Sequence, residues 1–223
     1  MTTSLLVLAA MMAIVVGWLV LPTLNAKPWV EQRPVDNVDG EGTLPLPPIK
    51  VGLGVFLAVA TSLFALLISA YHMRMMEADW TALSLPRVLW LNTAVLIAGG
   101  AAMQWARTAA RRGQTDRVRI GLIVAGVFTF SFLAGQLWAW QQLSDAGYFL
   151  ASDPAASFFY LLTALHGIHL LGGLWVWGRT TGKVLRGVEV AKLRLSVELC
   201  TVYWHYLLLV WLVLFAVLLH TQS

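Results

Sequence analysis

Uninterrupted apolar blocks of about 20 residues dominate this chain, and that is the length an α-helix needs to cross a hydrocarbon layer roughly 30 Å thick. The blocks fall near residues 5–24, 50–72, 88–106, 119–142, 155–178 and 196–219, separated by charged or turn-forming clusters. They are too long for strands of a membrane barrel and lack period-two alternation. Within lipid each must therefore satisfy its backbone hydrogen bonds internally, as a helix. The expected fold is an all-α polytopic membrane helix bundle of about six transmembrane helices. Composition agrees, with 59% hydrophobic and 12% charged residues, about half the charge of a soluble domain.

Three segments are expected: an N-terminal transmembrane helix over 1–25, a Pro-rich polar linker over 26–49, and a five-helix bundle over 50–223. No Lys or Arg precedes the first block, and Pro22 and Asn25 follow it where small cleavage-site residues would be needed, which favours a retained helix over a signal peptide. The linker carries Pro28, Pro34, Pro45, Pro47 and Pro48 among acidic residues and glycines, a composition for irregular backbone.

The formal net charge of +4 does not point to nucleic acid, because the basic residues sit in two short loops and form no broad face. Arg107, Arg111, Arg112, Arg117 and Arg119 flank the turn between the third and fourth spans. Arg179, Lys183, Arg186, Lys192 and Arg194 flank the turn between the fifth and sixth. The loop over 141–154 has Asp145 and Asp153 and no Lys or Arg. Positive residues stay on the cytoplasmic side, so both basic loops are expected there and both termini outside. The single cysteine, Cys200, leaves no internal disulfide and no two-cysteine metal site.

Ala94, Ala98, Ala102 and Ala106 form a small-residue stripe in the third span, and Ser131, Gly135 and Ala139 repeat the spacing in the fourth. Small residues let helices approach closely in lipid, so the stripe predicts a tight seam; such residues are also simply frequent in membrane helices. Trp138, Trp140, Trp175, Trp177, Trp204 and Trp211 crowd the later spans and read as interfacial anchoring and packing.

Ionisable groups within the spans are few: His166, His169, Glu198 and His205. The depths of His169 and His205 match on antiparallel spans, and Arg179 is placed to reach back toward Glu198. Three readings stay open: an interhelical polar cluster, a haem or metal site that would need further ligands, and unrelated, separately satisfied histidines. No phosphate loop, nucleophile elbow, zinc-protease helix or dinucleotide fingerprint appears, nor a ladder of membrane carboxylates.

The run over 158–173, with His166-Gly167-Ile168-His169 at its core, resembles the sixth helix of haem-copper cytochrome c oxidase subunit III. Glu198 followed by Tyr203-Trp204-His205 and Trp211 resembles that family's final helix, and Gly135-Gln136 and Ala70-Tyr71 extend the likeness over roughly 50–220. The resemblance implies an accessory, non-redox subunit of a bacterial inner-membrane oxidase that reduces dioxygen to water and translocates protons. It also implies subunits I and II as partners holding the haems and copper, cytochrome c as donor, bound phospholipid, and no cofactor or metal in this chain. A relative serving nitric oxide reductase and, from another class, a six-helix transporter remain as alternatives. The family begins with seven or five helices, whereas a single unlike helix precedes the five matching spans here. Where many members carry membrane carboxylates, this chain has Ala60, Leu208 and, near one such position, Ala139, so no proton-donating role is carried over.

Overall fold

The computed structural model describes residues 48–78, 80–81, 83–150 and 153–220. The first expected span, and the linker up to residue 47, lie outside the described residues. Those described form five long helices, α1 (Pro48–Arg74), α2 (Val88–Arg111), α3 (Thr115–Asp145), α4 (Pro154–Leu185) and α5 (Val190–His220). All five are long and apolar enough to cross a membrane. The described residues are thus all-α, as expected.

Each helix outruns its apolar block. Hydropathy falls at the membrane surface, but Arg, Lys and Gln are good helix formers and carry the backbone on into the polar layer. What stops α2, α3 and α4 is the same device three times: a glycine with positive φ just past the end, at Gly113, Gly147 and Gly187. Each glycine N–H bonds the carbonyl three residues back (Ala110, Ser144, Val184), and the next N–H bonds the carbonyl five back (Ala109, Leu143, Lys183). Those two bonds satisfy carbonyls that a helix end would otherwise leave bare. At its other end α4 opens with Pro154, and the Asp153 carboxylate accepts from Ala155 N–H at 2.8 Å.

Contacts divide the chain into two units, Met1–Leu66 and Leu67–Ser223, with α1 contributing to both. In the first unit, Thr61 and Ser62 hydroxyls donate to the carbonyls of Leu57 and Ala58 four residues back. Within the second, Tyr71 meets Trp80 and Phe158 edge-on at 5.1 and 5.5 Å. There α2, α3, α4 and α5 pack in a ring, each against the next and α5 against α2. Outward faces are as apolar as inward ones, with Leu66, Ile168 and Trp175 all more than 60% exposed. Helices that are hydrophobic all round suit a lipid surround.

The α2–α3 seam differs in phase from the predicted stripe. Ala94 is exposed, Ala98 and Ala102 are half-buried, and only Ala106 of the four is fully buried. The residues that pack recur every seven: Asn92 against Gly135, Gly99 against Phe128, and Ala106 against Gly121. A Cβ at Gly121 would lie 2.9 Å from that of Ala106, so bare glycine sets the helix separation. Residue size alone had picked the neighbouring stripe, which includes no polar residue, whereas the true seam contains Asn92.

On the α3–α4 side, Gly126 backs onto the Trp177 indole, and a Cβ there would overlap Cζ2 and Cη2 of the ring. Gly126→Ala should therefore lower stability by about 1–3 kcal/mol through overpacking. Gly172→Ala, where no atom lies within 4 Å of the added carbon, should not. Thermal unfolding of the two variants in detergent checks this, and equal midpoints would contradict the packing.

Candidate functional site: the polar groups inside the helix ring

Tryptophan indoles supply four of the interhelical hydrogen bonds. Trp211 Nε1–H donates to Thr93 Oγ1 at 3.0 Å, joining α5 to α2. Trp204 Nε1–H donates to Thr129 Oγ1 at 3.0 Å, joining α5 to α3. Trp140 Nε1–H donates to Thr163 Oγ1 at 3.1 Å, joining α3 to α4. In each case the threonine hydroxyl donates to its own carbonyl four residues back, that of Leu89, Ala125 or Phe159, at 2.7 to 2.8 Å. The hydroxyl proton is thus occupied and the oxygen is left free to accept. A fourth indole, Trp177, donates directly to the Leu122 carbonyl at 3.0 Å. Anchoring at the interface describes Trp138 and Trp175, which are exposed, but not Trp204 and Trp211, which are buried.

The threonines were not singled out from the sequence. A signal existed: Thr93 and Thr163 each lie level with a tryptophan on an antiparallel neighbour, and Thr129 lies level with Trp204 on the parallel helix across the ring.

The histidines separate. His166 is fully buried, its ring tilted 36° to that of Trp211 at 5.3 Å and edge-on to Phe132 at 5.8 Å. Across the same helix pair Trp140 meets Thr163 and Trp177 meets Leu122, so the register brings Gln136 level with His166. Both ring nitrogens of His166 and both amide atoms of Gln136 lack a hydrogen-bond partner among the described residues. Such atoms cost about 1–3 kcal/mol each, so aromatic packing must hold this layer.

His169 Nδ1–H donates to the Leu165 carbonyl, and His205 Nδ1–H to that of Thr201, both at 2.8 Å on their own helices. His205 is exposed, on the opposite side of α5 from buried Trp204 and Trp211. It does not meet His169, and the four candidate residues do not form one hydrogen-bonded cluster. The tie expected between these helices is made instead by Tyr203, whose hydroxyl donates to the His169 carbonyl at 2.9 Å. Among the described residues, no group of three His, Cys, Asp or Glu side chains is placed to hold a metal ion.

Glu198 sits in a charged cluster of its own. Its Oε1 accepts from Arg107 Nη2 at 2.9 Å and Arg111 Nη2 at 3.4 Å, both from α2. The expected partner was Arg179, which is exposed on α4. Comparing only the fifth and sixth spans missed α2, because Arg107 had been read as flanking a loop when it is helical. Arg107 and Arg111, one turn apart, face the same way.

Two measurements follow. Thr93→Val removes the acceptor while keeping the shape, so Trp211 N–H is stranded and stability should drop by about 1–3 kcal/mol. Thr108→Val, at a half-buried threonine whose hydroxyl bonds only its own helix, should change little. A double-mutant cycle on Arg107→Gln and Glu198→Gln should give a coupling of about 1 kcal/mol, discounted because both side chains keep about a quarter of their exposure. Additive losses would show the pair to be incidental.

Known proteins match this arrangement along most of its length. The family described as Cytochrome c oxidase subunit III matches residues 39–222. Cytochrome c oxidase subunit 3 of Thermostichus vulcanus is 28% identical over 178 residues, covering 77% of this chain and 87% of the relative. The probable cytochrome c oxidase subunit 3 of Mycobacterium leprae is 30% identical over 180 residues, covering 76% and 86%. Cytochrome c oxidase subunit 3 of Synechocystis is 29% identical over 179 residues, covering 74% and 72%. The match takes in α1 to α5 whole, including the histidine pair of α4 and the Glu198, Trp204 and Trp211 positions of α5, and the chain belongs to the cytochrome c oxidase subunit III family.

Proposed function

We propose that this chain is the accessory, non-redox subunit of a respiratory haem-copper oxidase, in which the haems and copper lie in subunits I and II. The complex would take electrons from cytochrome c, reduce dioxygen to water and translocate protons. One observation carries the passive role: most polar groups of the family motifs are engaged in the bundle itself, while His166 and Gln136 are held by packing without a hydrogen-bond partner among the described residues. Trp204, Trp211 and Tyr203 tie helices, His169 and His205 bond their own backbone, and Glu198 holds two arginines. Groups so committed are not free to relay electrons or protons. A packed wall of this kind supports catalysis by keeping a neighbouring subunit's proton entrance in its working geometry and by retaining lipid.

In this reading the chain lies in a bacterial cytoplasmic membrane with the turns at Gly113 and Gly187 inside and the turn at Gly147 outside. The basic residues flanking the first two turns support that orientation. Deletion of the gene should leave a haem-containing complex that loses activity sooner during turnover and takes up protons more slowly. Unchanged assembly, turnover lifetime and proton uptake would refute the role. Single cysteines at Gln114 and Glu189 should react with an impermeant thiol reagent only from the cytoplasmic side, and labelling from outside would reverse the orientation.

A further inference from the structure

His205 lies midway between Val190 and His220, about 22 Å from either end of α5 at 1.5 Å rise per residue. Seven residues separate it from Glu198, so the charged cluster is about 10 Å away along the axis. An imidazole cannot reach a headgroup from that depth. The other histidines have no such exposure at depth: His166 is enclosed, His169 half-buried, and His72 and His220 lie in last turns.

The side chain points out of the ring on a stripe with Val202, Leu209, Leu212 and Ala216, all apolar. Its Nδ1 carries the proton, because the Thr201 carbonyl can only accept. Nε2 is then a bare acceptor directed outward. Acyl chains offer no donor, and an unsatisfied polar atom in hydrocarbon is strongly unfavourable. Evolved membrane helices turn such groups toward protein.

We propose that the His205 face of α5 is an interface with a transmembrane helix of another oxidase subunit, which presents a hydroxyl or indole N–H donor to His205 Nε2. The flanking Val202, Leu209 and Leu212 supply the packing, and the donor supplies register along the membrane normal. This rests on the oxidase role proposed above. The interior ties show that the pattern works in this chain: an acceptor whose own proton is committed locally receives an N–H from another helix.

The test uses the assembled complex in native membranes and mild detergent. His205→Leu should release this chain from the haem-bearing subunits roughly three- to twentyfold more readily, the range of interhelical hydrogen bonds in membranes. His205→Gln, which keeps an acceptor, should recover part of the loss. A lipid-facing position would respond oppositely, since leucine suits lipid better than histidine, and equal or firmer retention of His205→Leu overturns the proposal. A photo-crosslinking residue at Leu212 should join this chain to a larger oxidase subunit. Adducts only with lipid, with residues 5–24 of the same chain, or with a second copy overturn it too. Failure of the wild-type chain to co-purify with any haem protein would instead sink the oxidase role itself.

Discussion

Helices in lipid gain little by hiding apolar side chains from one another, because the surrounding acyl chains are just as apolar. Association then depends on contacts that lipid cannot imitate, and in this chain these include the indole-to-threonine bonds. Each works because a helical threonine has a cheap local use for its proton, the carbonyl one turn back, which leaves its oxygen as an acceptor with a fixed direction. Trp211 to Thr93, Trp204 to Thr129 and Trp140 to Thr163 place that acceptor on α2, α3 and α4 in turn. A slip of one residue along either helix moves the partners by about 1.5 Å and breaks a 3.0 Å bond. The ties therefore set axial register, while the small residues at Gly121, Gly126 and Ala106 set separation.

Register and separation together explain why the sequence was readable at one level and not at the next. A 20-residue apolar block has one solution in lipid, so helix number and order for the described spans, and the all-α class, followed from block length alone. Helix ends did not, since hydropathy reports where the hydrocarbon stops and the backbone stops at Gly113, Gly147 and Gly187. That error hid Arg107 and Arg111 as partners of Glu198. Seam phase was missed for a related reason: Ala94 to Ala106 is the more uniform stripe, but a seven-residue repeat through Asn92 and Gly99 keeps facing α3 over a longer stretch. Aromatic spacing along one helix, likewise, could not reveal bonds whose other half lies on a different helix.

The positions at which the family resemblance leads one to expect membrane carboxylates are filled by packing in this chain. Ala139 and Ala60 are buried, and Leu208 lies against α2, where a Cβ at Gly100 would meet its Cδ2 at 3.2 Å. An acid cannot be recovered at such sites without opening the seam. The remaining carboxylate on α5, Glu198, is held by two arginines near the end of the apolar block, which keeps it local in effect. Charge in this chain thus fastens the helix ends, beside the basic turns.

An interior closed in this way leaves the outer surface as the route by which the chain can act on anything else. Its indole donors are directed inward, so an incoming group competing for one would have to displace an existing bond, such as Trp204 to Thr129, and leave two buried polar atoms unpaired. That penalty far exceeds what rearranging an apolar outer face requires. Influence on a neighbouring proton path would therefore be transmitted by position: four helices locked in register move as one body, and a neighbour packed on them inherits their geometry. Weakening an internal tie should then disturb a neighbour only to the extent that it shifts the outer face, which links the stability of this bundle directly to the shape of the surface it presents.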